Sequence, residues 1–543
     1  MNRHRRLLAD QRGFTMVGVM ISMMILGMFA VGAWSAAVGD IPLARGDQDR
    51  KGGYEAAEAG LQWYAYQLQA NPDYWQQCGS VPGIGYVRNE WNGAGADPRG
   101  WRTLPNSKAQ FTIEVLDQVN TTTGVHTACN TSDPNGTALQ NGTLRIRATG
   151  RANGGYRSVV ATFRRRGFMD YIYFTQWETQ DPIVSGVSGC DFPRSKRAGG
   201  CVNIQFSGKD SVNGPFHTND ESILACDSPT FGRPAPKADN FEVAGPSPGY
   251  QKVCGTGVPV INGPQITPAN SVAFPSSNAK LVTYAGPNWT FNGQTCLDFQ
   301  PNDTVNVYQN QDWPTNSPGQ IVCKPPYTNL PLTGVGGPPN GVIYVNNAPI
   351  TAANPAGCSG VYQKYQHYTN TKSCGDVAVR GTYSQSITVG AANDIIAIGD
   401  VQEIDDSMLG LIADNFVRVY HPMGAASSGQ CGAAVSYTPV YNIDAAILSL
   451  KHSFLVDNYQ CLAPVTDDAT DPLKAHYLNV TGAIAQYYRG TVAQSSGSSI
   501  TSGYLKNYNY DDRLKFRSPP NFLDPTTTSW QIIRQSEQQP STK

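Results

Sequence analysis

His217 and Asp220 stand three residues apart, a spacing that could supply half of a metal site. No H-E-x-x-H motif and no second matched pair accompanies them, so a catalytic metal lacks its usual ligand set. His421, His452 and His476 fall among short apolar runs and would have to converge in space to act together; hydrogen-bonded structural histidines are the simpler account of them. Three aspartate groups, Asp405-Asp406, Asp467-Asp468 with Asp471, and Asp511-Asp512, offer loop oxygens to calcium. None has EF-hand spacing, and acids in turns usually face water. Neither a G-x-S-x-G elbow nor a G-x-x-x-x-G-K-[ST] loop occurs, so serine hydrolase and NTP-binding chemistry lack their marks. The aromatics from Trp63 to Trp75, and Tyr171, Tyr173 and Trp177, would serve either an adhesive surface or a core.

Twelve cysteines complete the chemically active set: Cys78, Cys129, Cys190, Cys201, Cys226, Cys254, Cys296, Cys323, Cys358, Cys374, Cys431 and Cys461. Their even number and the absence of any C-x-x-C pair speak for disulfides in an oxidising, extracytoplasmic compartment and against zinc or thioredoxin-type sites. Sequence leaves the connectivity open; pairing between neighbours would close six separate loops along the chain. A net charge of −1 argues against nucleic acid as an electrostatic partner. Nothing in the sequence calls for a cofactor.

The elements that must carry these residues begin with an uncharged run. Between Gly13 and Gly39 there is no charged residue, whereas Arg3, Arg5, Arg6 and Arg12 precede it against the single acid Asp10. A helix of about 20 apolar residues spans a bilayer, and the basic flank places the N-terminal end in the cytoplasm. An ordinary secretory signal would be cut after the apolar stretch, at a small-residue site such as those offered by Ala30, Ala33, Ala36 and Ala37. A single-pass anchor without processing is the other alternative. Beyond the span, Tyr54, Ala57, Leu61, Tyr64, Ala65 and Leu68 recur at three- and four-residue steps and predict an amphipathic helix that stops at Asn71-Pro72. Pro42 and Gly52-Gly53 are expected to kink or loosen it.

The junction Arg12-Gly13-Phe14-Thr15 resembles the type IV prepilin signature, in which a short charged leader ends in Gly ahead of Phe and an apolar helix. The resemblance implies cleavage by a prepilin peptidase between Gly13 and Phe14, N-methylation of Phe14, and assembly with other pilin-like subunits through the helix. The run Tyr54-Glu55-Ala56-Ala57-Glu58-Ala59-Gly60-Leu61-Gln62 is similar to the helix of PilX-like minor pilins. One position departs from the pattern: major pilins of this family carry Glu fifth after the cut, where this chain has Gly18. Members lacking that Glu tend to be minor subunits at a filament tip. The stretch from Asp210 to Asp220 also resembles one in large pilin-like surface proteins of unknown role.

Gly and Pro together number 92 and charged residues make up only 15 %, which favours short strands and many turns. The expected fold is α+β: a long N-terminal transmembrane and stalk helix followed by a large β-rich head, whose C-terminal part has the short apolar runs of a parallel β-helix but no strict period, so that a β-sandwich is the alternative. The layout read from the chain is a leader at 1–13, the helix at 14–70 with a membrane span of about 14–38, and a pilin-like β-meander at 71–168. A Cys-rich irregular β region at 169–385 follows, then a β-helix-like region at 386–492, and a cap at 493–543 ending in a disordered tail from Ser536. The expected product is a structural subunit of a type IV pilus-like filament, a minor pilin at the tip or in the initiating complex, anchored in the cell membrane and displayed on the cell surface or pilus. A surface adhesin exported by the prepilin route and a membrane-anchored polysaccharide-active enzyme are the alternatives.

Overall fold

The structure, a computed structural model, describes residues 16–71, 74, 101–116, 143–165, 167–313, 321–352, 354–359, 362, 370–423, 431–433, 435–461, 477–496, 499–526 and 530–538. Gly13, Phe14, Cys78, Cys129, His476, Asp467, Asp468 and Asp471 lie outside these residues. The chain divides into two compact units, the first holding the N-terminal part to Pro134, Arg145–Thr162 and Arg534–Lys543. The second holds Phe163–Ile533 together with residues Asn135–Leu144.

In the first unit a single helix, α1, runs from Met16 to Ala70. It continues without a break through residue 42 and through Gly52-Gly53, where the sequence led us to expect a kink. The glycines serve a different purpose. A Cβ on Gly150 would fall 2.1 Å from the Gly53 carbonyl oxygen and 2.3 Å from the Ala57 nitrogen, and one on Gly60 would fall 2.8 Å from the Phe111 ring. Glycine is thus required for the helix and sheet backbones to approach this closely. Ala56, Ala57, Leu61, Tyr64 and Leu68 are buried on the same helix face.

The accompanying sheet has five strands. β1 (Arg102–Thr103) and β2 (Gln110–Val115) pair antiparallel, and β2 pairs antiparallel with β3 (Thr143–Ala152). β3 turns into β4 (Gly155–Arg165) through Asn153-Gly154, both with positive φ, as a two-residue hairpin turn demands. The fifth strand, beside β4, is Trp530–Gln538 at the end of the chain. The tail expected to be disordered from Ser536 is therefore a sheet strand as far as Gln538. Its polar composition belongs to an edge, where one side of the strand meets water.

The second unit is built from stacked parallel strands, and the stacking begins at residue 173, not at 386. One stack contains, in spatial order, the strands at 265–266, 241–243, 216–218, 173–177, 484–486, 446–449, 409–413, 387–391, 342–346 and 290–292. The chain thus enters in the middle, builds outward to Ile266, crosses to Thr290, and builds back until Ile484 pairs with Tyr173. A second stack repeats the order through 260–261, 230–231, 211–213, 505–510 and 477–482. A third runs through 295–299, 377–381, 395–397, 417–419 and 454–456. At the far end Thr295–Gln300 also pairs antiparallel with Thr304–Tyr308, which pairs with Thr328–Pro331.

Two kinds of core fill the coils. The late rungs are aliphatic: every residue of Ile387–Ala391 and Leu409–Ala413 is buried. The early rungs are aromatic. Tyr173 stacks on Phe216 with centroids 5.2 Å apart, Phe216 stacks on Phe241 at 5.0 Å, and Phe206 and Phe231 meet them edge-on. The segment expected to be irregular is part of the same solenoid, with strands of two to seven residues and long turns between them.

The crossing segment lies along the first stack. Val272 donates its backbone N–H to Asn219 Oδ1, Phe274 packs on Phe168 and Phe174, and Asn278 donates to the carbonyls of Ala391 and Ile412. A strap of this kind satisfies backbone groups that a bare strand end would leave unpaired.

Candidate functional site

The stretch Met16–Ser35 is long and apolar enough to cross a membrane, with a mean hydropathy of 2.2 and none of it buried within the chain. Met16, Phe29 and Trp34 are 80, 73 and 74 % exposed. Such a surface is stable only in lipid or against other apolar helices. Ser22 donates its hydroxyl to the Gly18 carbonyl at 2.8 Å, and Ser35 donates to Gly32 at 2.9 Å, so both hydroxyls are satisfied within the helix. Gly18 presents no side chain there. Gly13 and Phe14, the cleavage and methylation positions, precede the described helix.

The three described histidines, His217, His421 and His452, are each held by hydrogen bonds within the fold. His217 is buried with Nδ1 3.0 Å from Glu242 Oε2 and Nε2 3.0 Å from Asn219 Oδ1, while Tyr171 donates to the same Glu242 oxygen at 2.8 Å. Its sequence neighbour Asp220 pairs with Arg197 instead. His421 bonds the Asp457 carbonyl, and burial holds its pKa below the usual histidine value. His452 contacts Asp181 at 2.8 Å. Among the described residues no group of His, Cys, Asp or Glu is arranged to hold a metal. Tyr171 and Tyr173 are core residues.

The two described acidic clusters, at Asp405-Asp406 and Asp511-Asp512, face arginine and lysine. Arg513 bonds Asp511, Asp406 and Glu403, and Arg517 bonds Asp406 as well. Asp512 receives Arg233, Lys237 and Lys515. Burial pushes the Asp512 carboxyl up, but hydrogen bonds from Arg233, Lys237 and Lys515 outweigh it and hold the pKa well below the carboxylate range. Asp405 and Asp406 both have positive φ, which places them in a tight turn. Glu403, Asp444 and Asp511 line a shallow pocket with Arg513 among them. Guanidinium groups occupy the position a cation would take.

Sequence reasoning missed the buried ion pairs that close the solenoid. Glu178 follows the first rung and Arg489 follows the last; they meet at 2.9 Å with both side chains about 1 % exposed. Arg489 also lies 3.5 Å over the Phe206 ring and donates to the Ile204 carbonyl. Burial raises the Glu178 pKa and lowers that of Lys506, which pairs with Asp210 at 2.8 Å. Gln180 reaches Tyr459 and Thr491. In the third stack Arg418 bridges Asp394 and Asp457. No local pattern marks these residues, because each partner lies tens to hundreds of positions away.

Among the described residues, five disulfides join Cys190–Cys201, Cys226–Cys254, Cys296–Cys323, Cys358–Cys374 and Cys431–Cys461. Each links one cysteine to the next along the chain. Cys226 and Cys254 are register partners on adjacent rungs, so that bond staples one coil to another.

The prokaryotic N-terminal methylation motif matches residues 8–34. Among solved structures, the chain is similar to the competence-associated pilin ComZ from Thermus thermophilus. The identity is 12 % over 90 % of this chain and 98 % of that one, with a TM-score of 0.28. No curated protein matches the chain.

Proposed function

We propose that the chain, whose residues 8–34 match the prokaryotic N-terminal methylation motif, is a type IV prepilin-like structural subunit and not an enzyme, a minor pilin that caps or initiates a filament. The observation that carries this reading is the uncharged helix: Gly18 stands where a shaft pilin of the resembled family has Glu. A carboxylate in lipid is costly and is kept for a partner, there the N-terminal amine of a neighbouring subunit. Without it the helix enters an apolar bundle with no charge to match. Packed helices lie about 8–10 Å apart, whereas each copy would carry a head whose second unit alone takes in Phe163–Ile533. Heads of that size on every shaft subunit would collide, and one at the end meets no such limit.

A prepilin peptidase would cut between Gly13 and Phe14 and methylate Phe14, and the head would stand outside the cytoplasm. Immunogold labelling tests the position: one site per filament end is expected, and regular labelling along the shaft refutes it. Mass spectrometry of the mature N-terminus tests the processing. Recovery of an end after Ala33 or Ala37 in place of methylated Phe14 points to ordinary signal cleavage.

A further inference from the structure

The outer face of the second stack carries polar side chains in register. On the strand 477–482, Leu478 and Val480 point into the core, so Tyr477, Asn479 and Thr481 point outward. Register places Asn479 between Asn442 and Asn507, and Asn507 beside Ser211. A second row holds Asp444, Thr481, Asn509 and Asn213. Neighbours within a row are about 4.8 Å apart, and the rows are separated by about 6.6 Å.

The amides form a directional chain. Asn213 donates to Asn507 at 3.4 Å and to Asn509 at 2.9 Å; Asn507 donates to Asn479 at 2.7 Å, and Asn479 to Asn442 at 3.1 Å. Asn442 then donates to Asp400 at 2.7 Å. Asparagine is disfavoured in strands, so placing it on consecutive outward rungs works against local propensity. An amide has two N–H donors and two acceptor sites. The ladder spends one N–H of Asn442, Asn479 and Asn507 on the next rung, which orients each amide and polarises its neighbours. Tyr477, 46 % exposed, stands at the end of the middle strand as a flat apolar surface.

We propose that this face binds a neutral polysaccharide. Fixed amides presenting both donors and acceptors match vicinal hydroxyls, and an exposed tyrosine ring suits the C–H face of a pyranose. The rows themselves hold no Lys or Arg, Asp400 and Asp444 stand among them, and Arg513, which lines a pocket with Asp444 and Thr481, is committed to Asp511, Asp406 and Glu403, so the face favours a neutral ligand over a polyanion. The proposal does not depend on where in a filament the subunit stands, and its failure would leave the tip assignment intact.

The test is to apply full-length protein in detergent to an array of neutral and acidic polysaccharides, then titrate an oligosaccharide of any neutral polymer it retains. Retention of a neutral polymer is expected, with Tyr477→Ala binding about tenfold more weakly at an unchanged melting temperature. Asn507→Ala should weaken binding and lower the melting temperature as well. Retention of no neutral polymer, equal retention of acidic ones, or wild-type affinity in Tyr477→Ala each overturns the proposal.

Discussion

Arg489 donates from Nη1 to Glu178 Oε2 at 2.9 Å, although 311 positions separate the two residues. The bond fastens the last rung of the solenoid to the first, beside the register pair Ile484 and Tyr173. Both side chains are withdrawn from water, so neither charge has a solvent alternative. Removing one partner leaves the other charged and buried, which is far costlier than the pair itself is stabilising. Arg489→Ala is therefore expected to lower unfolding free energy by about 3–5 kcal/mol, read from urea unfolding. The double variant Glu178→Gln with Arg489→Met should recover most of that loss. Equal instability of single and double variants would show that packing, not charge burial, governs the junction.

Asp512 gives the head a definite response to acid. Its folded pKa lies below the unfolded value of about 3.9, so its stabilising contribution is complete above that value. It is lost as pH falls from there through the lower folded pKa. Asp512→Asn should remove this part of the acid sensitivity and flatten the urea midpoint between about pH 2 and pH 4. An unchanged acid limb would assign the sensitivity to other carboxylates.

Gly150 tests the fit of the stalk to its sheet. A methyl group there meets helix backbone, which cannot move aside as a side chain can. Gly150→Ala should destabilise the first unit by on the order of 1–3 kcal/mol and expose α1 to limited proteolysis. Gly46→Ala, with nothing within 4 Å of the added carbon, is the control, and should be neutral or stabilising by up to about 1 kcal/mol.

Cys190 and Cys201 close a loop of 11 residues. Replacing both by Ser should cost on the order of 2–3 kcal/mol, and thiol alkylation of native protein should leave the ten paired cysteines unlabelled. Stoichiometric labelling without reductant would contradict the pairing.

The helix and the late rungs were legible because each repeats one signal. The apolar span has no charge to interrupt it, and runs such as Leu409–Ala413 are long enough to read as buried strands. The early rungs were not, since Phe216–Thr218 and Phe241–Val243 are three residues each and their core is aromatic. The Asn ladder hid for a related reason. Asn442, Asn479 and Asn507 are unequally spaced in sequence, because the turns between rungs differ in length, and only the register aligns them. The terminal strand was missed because an edge strand with a polar outer side has the composition of a tail.

The solenoid ends where it began, and this makes it portable. The chain leaves the five-stranded sheet after β4 and re-enters as the strand next to β4, so the whole coil occupies one connection between neighbouring strands. Insertions are tolerated where the inserted piece has adjoining termini. A coding segment for this coil can thus be spliced into, or cut from, a small pilin without reordering its sheet. Whole rungs can be gained or lost at the outlying strands Gln265–Ile266 or Thr290–Asn292, which leaves the Glu178–Arg489 closure untouched. Exchange of such cassettes would let one stalk display heads of very different length.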